Sequence, residues 1–442
     1  MSGDPVNQGD LRQGIGLWGV VSLGLGTAVG VSVFSAIAPA TAIAGPAMLV
    51  SVLVAALPMY LIAVSYAYLG SALPVSGASF VWPARFLHPF VGFLVAWMRI
   101  LGNMGAIVVL ALVLVRYLSM IVPLPTKLSM FVILLLALFA NLAGVKFAAR
   151  AQTAMVGALL LVFALFVVWG STAFQRHAFE PFAPGGTAGI LAAAPLLMGL
   201  FFGIEAATET GAEVADGKRS IPRGIAIAIG SATALYLLVG TVVLGVLGPA
   251  ALGGSEAPIL EAAQAFMGPV AVPLIVTAAI VAIGTSLNAI FAVFSRGLLA
   301  MAEARMLPST LARVHPRTGV PHVALCAVFA IGCVGLLLPM ELTFLFLAVN
   351  IPNLAKYACV CLSAAKASVY HPDIHQSASF RPTQRKVVLM GVVGAICALA
   401  LMALGIEADW RPYALLAVWA LAGCAWYAAI SSGPHQGFTS TD

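Results

Sequence analysis

The chain has 442 residues, 62% of them hydrophobic and only 8% charged, with a formal net charge of +6. An average soluble domain carries about 25% charged residues, so an ordinary water-soluble fold is excluded and an all-α polytopic membrane protein is implied. In such a protein the placement of the basic residues matters more than their sum, and no nucleic acid partner is expected.

The start, Met1-Ser2-Gly3-Asp4-Pro5, lacks the basic region of a signal peptide and leads into an apolar run too long for one, so uncleaved insertion is expected. Cutting the chain at clusters of charge, Pro and Gly, with about 20 apolar residues per span, gives twelve candidate transmembrane helices. They cover about 14–42, 46–72, 88–118, 127–145, 150–172, 189–215, 223–248, 268–302, 321–338, 341–366, 387–405 and 409–431.

The first span holds a glycine-rich run, Gly24-Leu25-Gly26-Thr27-Ala28-Val29-Gly30-Val31-Ser32-Val33-Phe34. Hydrocarbon tolerates irregular backbone only where protein or a water-filled cavity covers it, so a break at this depth is read as part of a binding site. The competing reading is close helix packing, since Gly26 and Gly30 also form a small-xxx-small pair. In the third span Arg99 stays charged and suits a gate pair, and Asn103 faces either a cavity or a neighbouring helix.

The sixth span is interrupted in the same way, from Gly199 through Phe202, Gly203 and Glu205 to Gly211. It stands five helices after the first, and an odd offset gives the two halves opposite orientations. One transmembrane domain is therefore expected, with repeat one at about 14–172, an inverted repeat two at about 189–366, and two added helices within about 387–431. Glu205, Glu209 and Glu213 recur every four residues, which puts them on one helical face lining a vestibule. Glu213 would then be solvated at the interface or lie near Lys218 or Arg219. Lys356 follows Asn350-Ile351-Pro352-Asn353 in the tenth span and is read either as a proton carrier or as the partner of a carboxylate such as Glu205.

With the N-terminus inside, fifteen Lys and Arg fall on cytoplasmic segments and four, Arg116, Lys127, Arg176 and Arg411, fall outside. Both termini are accordingly expected in the cytoplasm, with the protein in the plasma (inner) membrane. The six cysteines sit in apolar segments without a Cys-x-x-Cys pair, and His371-Pro372-Asp373-Ile374-His375 lies in a polar loop, so no metal or cofactor is assigned.

A broken helix offers a zwitterion both partners: free N–H groups for a carboxylate and free carbonyls for an ammonium. The donors assigned are Gly30, Val31 and Ser32, and the acceptors lie near Ala28, Gly199 and Phe202. Asn103 and Met198 complete the wall, with Phe201, Glu205 and Lys356 as gating or coupling groups.

The first break resembles the Gly-x-x-x-Gly-small-Gly-Ile/Val-Phe break of the amino acid-polyamine-organocation (APC) permeases. Further stretches match that family in order: Pro74-Val75-Ser76-Gly77-Ala78-Ser79-Phe80; Phe202-Gly203-Ile204-Glu205, continuing to Lys218-Arg219-Ser220-Ile221-Pro222; Ser295-Arg296 through Met306-Leu307-Pro308; and Val314-His315-Pro316-Arg317. The resemblance implies the leucine-transporter fold, with a solute held between helices one and six. It departs at Ser32, where the family usually has Gly, and in helix five, which has no lysine near Ala158 or Leu159. The function implied is secondary active transport of amino acids by alternating access, as an exchanger or a proton-coupled carrier, for small-to-medium neutral substrates. A polyamine, ethanolamine or cationic amino acid is the alternative cargo. An intramembrane enzyme is disfavoured because the histidines lie in loops or near helix ends, and a channel because two isolated breaks do not form a continuous filter.

Overall fold

The computed structural model describes residue 11 and residues 13–30, 32–119, 122–255, 257–337, 342–404, 406 and 409–431. In hydrocarbon a chain must satisfy its own backbone, and these Ala-, Leu- and Val-rich runs do so as helices. In order they are α1 (Leu17–Ala28), α2 (Ser32–Ser35), α3 (Ile37–Ala44), α4 (Met48–Ala72), α5 (Ala78–Phe86), α6 (Pro89–Ser119), α7 (Thr126–Leu142), α8 (Val145–Gly170) and α9 (Gly186–Met198). There follow α10 (Gly217–Gly253), α11 (Pro258–Met267), α12 (Ala271–Glu303), α13 (His322–Gly335), α14 (Leu342–Tyr370), α15 (Pro372–Ser377), α16 (Gln384–Leu404) and α17 (Arg411–Ser431). Among the described residues there is no strand, only isolated bridges joining Ile15 to Val214 and Ser76 to Thr210.

Nine helical segments of the described residues are long and apolar enough to cross a membrane, against twelve expected. Three further apolar helices, α1, α7 and α13, have 12, 17 and 14 residues. The difference in the first span has a local cause: α1 ends at Ala28, α2 covers Ser32–Ser35, and Ile37–Ala72 forms a separate segment of 36 residues. The short helices α5, α11 and α15 carry no span-length apolar run and were not expected.

α6 is central and α17 peripheral: 78% of the apolar stretch of α6 is buried within the protein, against 11% for α17. α1 is packed among α8, α10 and α12, and α6 lies against α12 and α14. Leu57, Leu136, Leu161, Val168 and Leu421 each expose more than half of their surface. An apolar belt of that kind suits lipid and is rarely presented to water.

Both breaks have a physical cause. After α1 the Val29 N–H still reaches Leu25 O, but the Gly30 N–H makes no hydrogen bond among the described residues. In the sixth segment, α9 gives way to tight turns at Gly199–Phe201, Ala206–Glu209 and Gly211–Glu213. Their hydrogen bonds run i→i+3, from Ala206 N to Gly203 O and from Thr208 N to Glu205 O, both 2.8 Å. Gly203 has φ 95°, where a Cβ would also collide with the Thr27 side chain. The shared helical face expected for Glu205, Glu209 and Glu213 therefore does not exist: a rotation of three residues per turn fans them apart.

Candidate functional site

The two breaks meet at a cavity of about 180 Å³. Its wall takes Thr27 and Ser32 from the first break, Gly199, Phe202, Gly203, Glu205 and Glu209 from the sixth segment, and Arg99 and Asn103 from α6. α12 adds Ser286, Ile290 and Val293, and α14 adds Phe346, Asn350, Asn353 and Lys356. The Ser32 hydroxyl donates to Gly199 O at 3.3 Å, linking one break to the other.

Three acidic residues of the unwound segment are each buried and each paired with a cation from a different helix. Lys356 Nζ of α14 lies 2.5 Å from Glu205 Oε1 and sits over the Tyr357 ring, 4.4 Å from its centroid. The Tyr357 hydroxyl donates to Glu205 Oε2 at 3.1 Å and accepts the Gly203 N–H at 3.2 Å. Arg99 NH1 of α6 lies 2.9 Å from Glu209 Oε1, and the Ser79 hydroxyl also donates to Glu209. Arg296 of α12 grips Glu213 with both arms, Nε to Oε1 at 2.8 Å and NH2 to Oε2 at 2.9 Å. Glu213 is fully buried, so the solvated position or pairing with Lys218 or Arg219 expected for it is corrected.

The charges facing the cavity thus cancel, Lys356 and Arg99 against Glu205 and Glu209. Beyond them the backbone closes one side: Gly14 and Ile15 donate to Glu213 O at 2.9 and 3.1 Å, Ala215 donates to Ile15 O, and Gly77 donates to Glu209 O.

Of the residues expected at the site, Ser32, Arg99, Asn103, Gly199, Phe202, Glu205 and Lys356 line the cavity, whereas Met198 is buried outside its wall. Ala28 and Gly30 lie buried beside it without lining it; Gly30 backs onto Ser286, whose hydroxyl donates to Gly26 O at 2.9 Å. Phe201, expected as a gating group, is fully buried with its ring centroid 5.5 Å from that of Tyr236, and it does not line the cavity. Val31 lies outside the described residues. Among the described residues no three His, Cys, Asp or Glu side chains are grouped as metal ligands.

The profile of the amino acid permease family matches residues 15–436. The chain belongs to that family. Relatives of this permease include an uncharacterized transporter of Mycobacterium tuberculosis, 34% identical over 325 residues, 73% of either chain. A branched-chain amino acid permease of Bacillus subtilis is 25% identical over 439 residues, 94% of this chain and 92% of its own. A methylthioribose transporter of the same species is 27% identical over 384 residues, 81% of each chain. The permease is thus an integral, multi-pass membrane protein of the APC superfamily.

Sequence reasoning missed Thr27, Ser286, Asn350 and Asn353 in the permease's cavity, and Arg296 behind it. Ser and Thr inside helices commonly bond their own backbone, as Thr27 does to Leu23 O, so they carry little local signal. Arg296 is one of the fifteen basic residues counted on cytoplasmic segments; the usable clue is that an arginine so far inside an apolar helix needs a buried partner.

Proposed function

We propose that this permease carries amino acids by alternating access, on a leucine-transporter fold built from two inverted five-helix repeats. One observation carries the reading: two interrupted helices meet at a cavity whose ionic groups are already paired. A neutral zwitterion fits such a site because it adds no net charge. Its carboxylate would face the Gly30 N–H side and its ammonium the carbonyl side around Gly199, where it competes with the Ser32 hydroxyl. The volume of about 180 Å³ suits a small-to-medium side chain. The names of the relatives span a branched-chain amino acid permease, a methylthioribose transporter and cationic amino acid transporters, so the preference for a neutral cargo rests on the paired charges of the cavity.

Coupling is assigned to the Glu205–Lys356 pair. A proton on Glu205 removes one charge of a buried pair and frees Lys356 and the Tyr357 hydroxyl to re-form their bonds, which biases the gate. The side bearing Gly14 and Ile15 is read as cytoplasmic because most basic residues lie there.

Proteoliposome uptake of radiolabelled amino acids, with and without internal substrate and a pH gradient, tests this. Neutral amino acids should accumulate, and Glu205→Gln and Lys356→Met should lose their response to the gradient. Gradient-driven uptake unchanged in both variants rejects the coupling assignment, and uptake of cationic amino acids alone rejects the neutral cargo.

A further inference from the structure

A second, more open cavity, about 390 Å³, lies where the loop between α15 and α16 meets α4. It is lined by Val64 of α4, by residues 379–383 of the loop, and by Lys386 and Met390 of α16. Two of its side chains, Arg381 and Lys386, are cations, and it has no acidic residue in its wall. Neither cation makes a hydrogen bond or ion pair among the described residues. At the same place α16 begins: Val387 N–H is bonded to Thr383 O, and the N–H groups before it have no helical acceptor. Two cations, the Thr383 hydroxyl and open amides around a cavity are a donor set for a phosphate-bearing anion.

The rest of the wall says where that anion comes from. Val64 and Met390 are apolar, and the helices carrying them continue into lipid-facing surface: Leu57 and Tyr60 on α4 are 63% and 38% exposed, Leu389 and Ile396 on α16 are 64% and 60% exposed. Leu57, Tyr60 and Val64 share one face of α4, as Leu389, Val393 and Ile396 share one of α16. α4 and α16 pack against each other through other residues, Ile62 against Gly394, so these exposed faces turn outward from the contact, toward lipid. A soluble phosphate would use the donors and leave these walls idle, whereas a phospholipid uses both.

We propose that this cavity binds the phosphate headgroup of an anionic phospholipid, its acyl chains lying on the exposed apolar surface of α4 and α16. The loop that holds the site also ties helices together: Ser377 donates to Ala72 O, Phe380 N to the Ser71 hydroxyl, and Ser379 to Lys218 O. A bound lipid therefore bears on the ends of α4 and α10, whatever the central cavity carries.

Native mass spectrometry of the detergent-purified full chain, titrated with phosphatidylglycerol or phosphatidylcholine, tests the site. One phosphatidylglycerol per chain should be retained in preference to phosphatidylcholine. With about fivefold in affinity for each charge removed, Arg381→Gln/Lys386→Gln should weaken retention roughly 25-fold, while Arg381→Lys/Lys386→Arg keeps it. Equal retention of the two lipids, or unchanged retention in Arg381→Gln/Lys386→Gln, overturns the proposal. Displacement of phosphatidylglycerol by equimolar glycerol phosphate overturns it too, because the ligand would then be a soluble phosphate.

Discussion

Ser32 stands where the resemblance to the permease pattern has glycine, and its side chain does two things at once. It narrows the space beside the first break, and it occupies the carbonyl of Gly199 that a substrate ammonium would otherwise meet. A neutral hydrogen bond of this kind contributes about 1 kcal/mol net, small enough for a charged ammonium to displace it. Ser32→Gly should therefore enlarge the cavity and free Gly199 O together. The expected outcome is a shift of the substrate range toward bulkier amino acids, with KM for the largest accepted one falling about fivefold in competition assays. An unaltered rank order of competitors would show that Ser32 does not bound the site.

At the scale of elements, long apolar runs made α6, α8, α10, α12, α16 and α17 legible, because length and hydropathy are properties of the segment itself. The breaks were legible too, since glycine clusters mark where backbone hydrogen bonding fails. The form of the second break was not. Glutamates four apart read as one helical face, yet from Gly199 to Glu213 the chain winds in tight turns, which suits three carboxylates with partners on α14, α6 and α12. Pairing depends on non-local packing, which local spacing does not encode. The same holds for the buried amide ladder in which Asn141 donates to Asn288, Asn288 to Gln152 and Gln152 to Ser22 O, joining α7, α12, α8 and α1. In α15, His375 shows what an element can do with one titratable group. Its Nδ1 is 3.1 Å from the Tyr68 hydroxyl, and burial first, then the nearby Arg381 charge, hold the imidazole below its usual 6.5. The folded chain thus binds fewer protons at His375 than the unfolded one, so this contribution is complete above pH 6.5 and is lost as pH falls through the lowered value. Thermal unfolding midpoints measured from pH 7.5 to 5 should fall more steeply in the natural protein than in His375→Gln; parallel curves would refute the link.

For the whole molecule, the Glu205–Lys356 and Glu209–Arg99 pairs face the cavity and Glu213–Arg296 lies beyond them beside Gly14 and Ile15, so opening on that side must break this last pair. Removing one partner of a buried pair costs about 3–5 kcal/mol, because the other charge is left without compensation. Two transporter states typically differ by only a few kcal/mol, so that penalty is large enough to reverse their order. Glu213→Gln should therefore favour the state in which Arg296 is hydrated, open on the side of Gly14 and Ile15. Thr210, 1% exposed between Glu209 and Glu213, is the position to read it. In a background with the six cysteines replaced, Thr210→Cys should resist a membrane-impermeant thiol reagent and become labelled at least tenfold faster once Glu213→Gln is added. Glu213→Leu with Arg296→Met should restore protection, since it removes both charges and leaves apolar side chains of similar volume. If Glu213→Gln leaves labelling as slow as in the parent, the pair fastens structure rather than a gate, and opening must proceed through the Glu205 and Glu209 pairs instead.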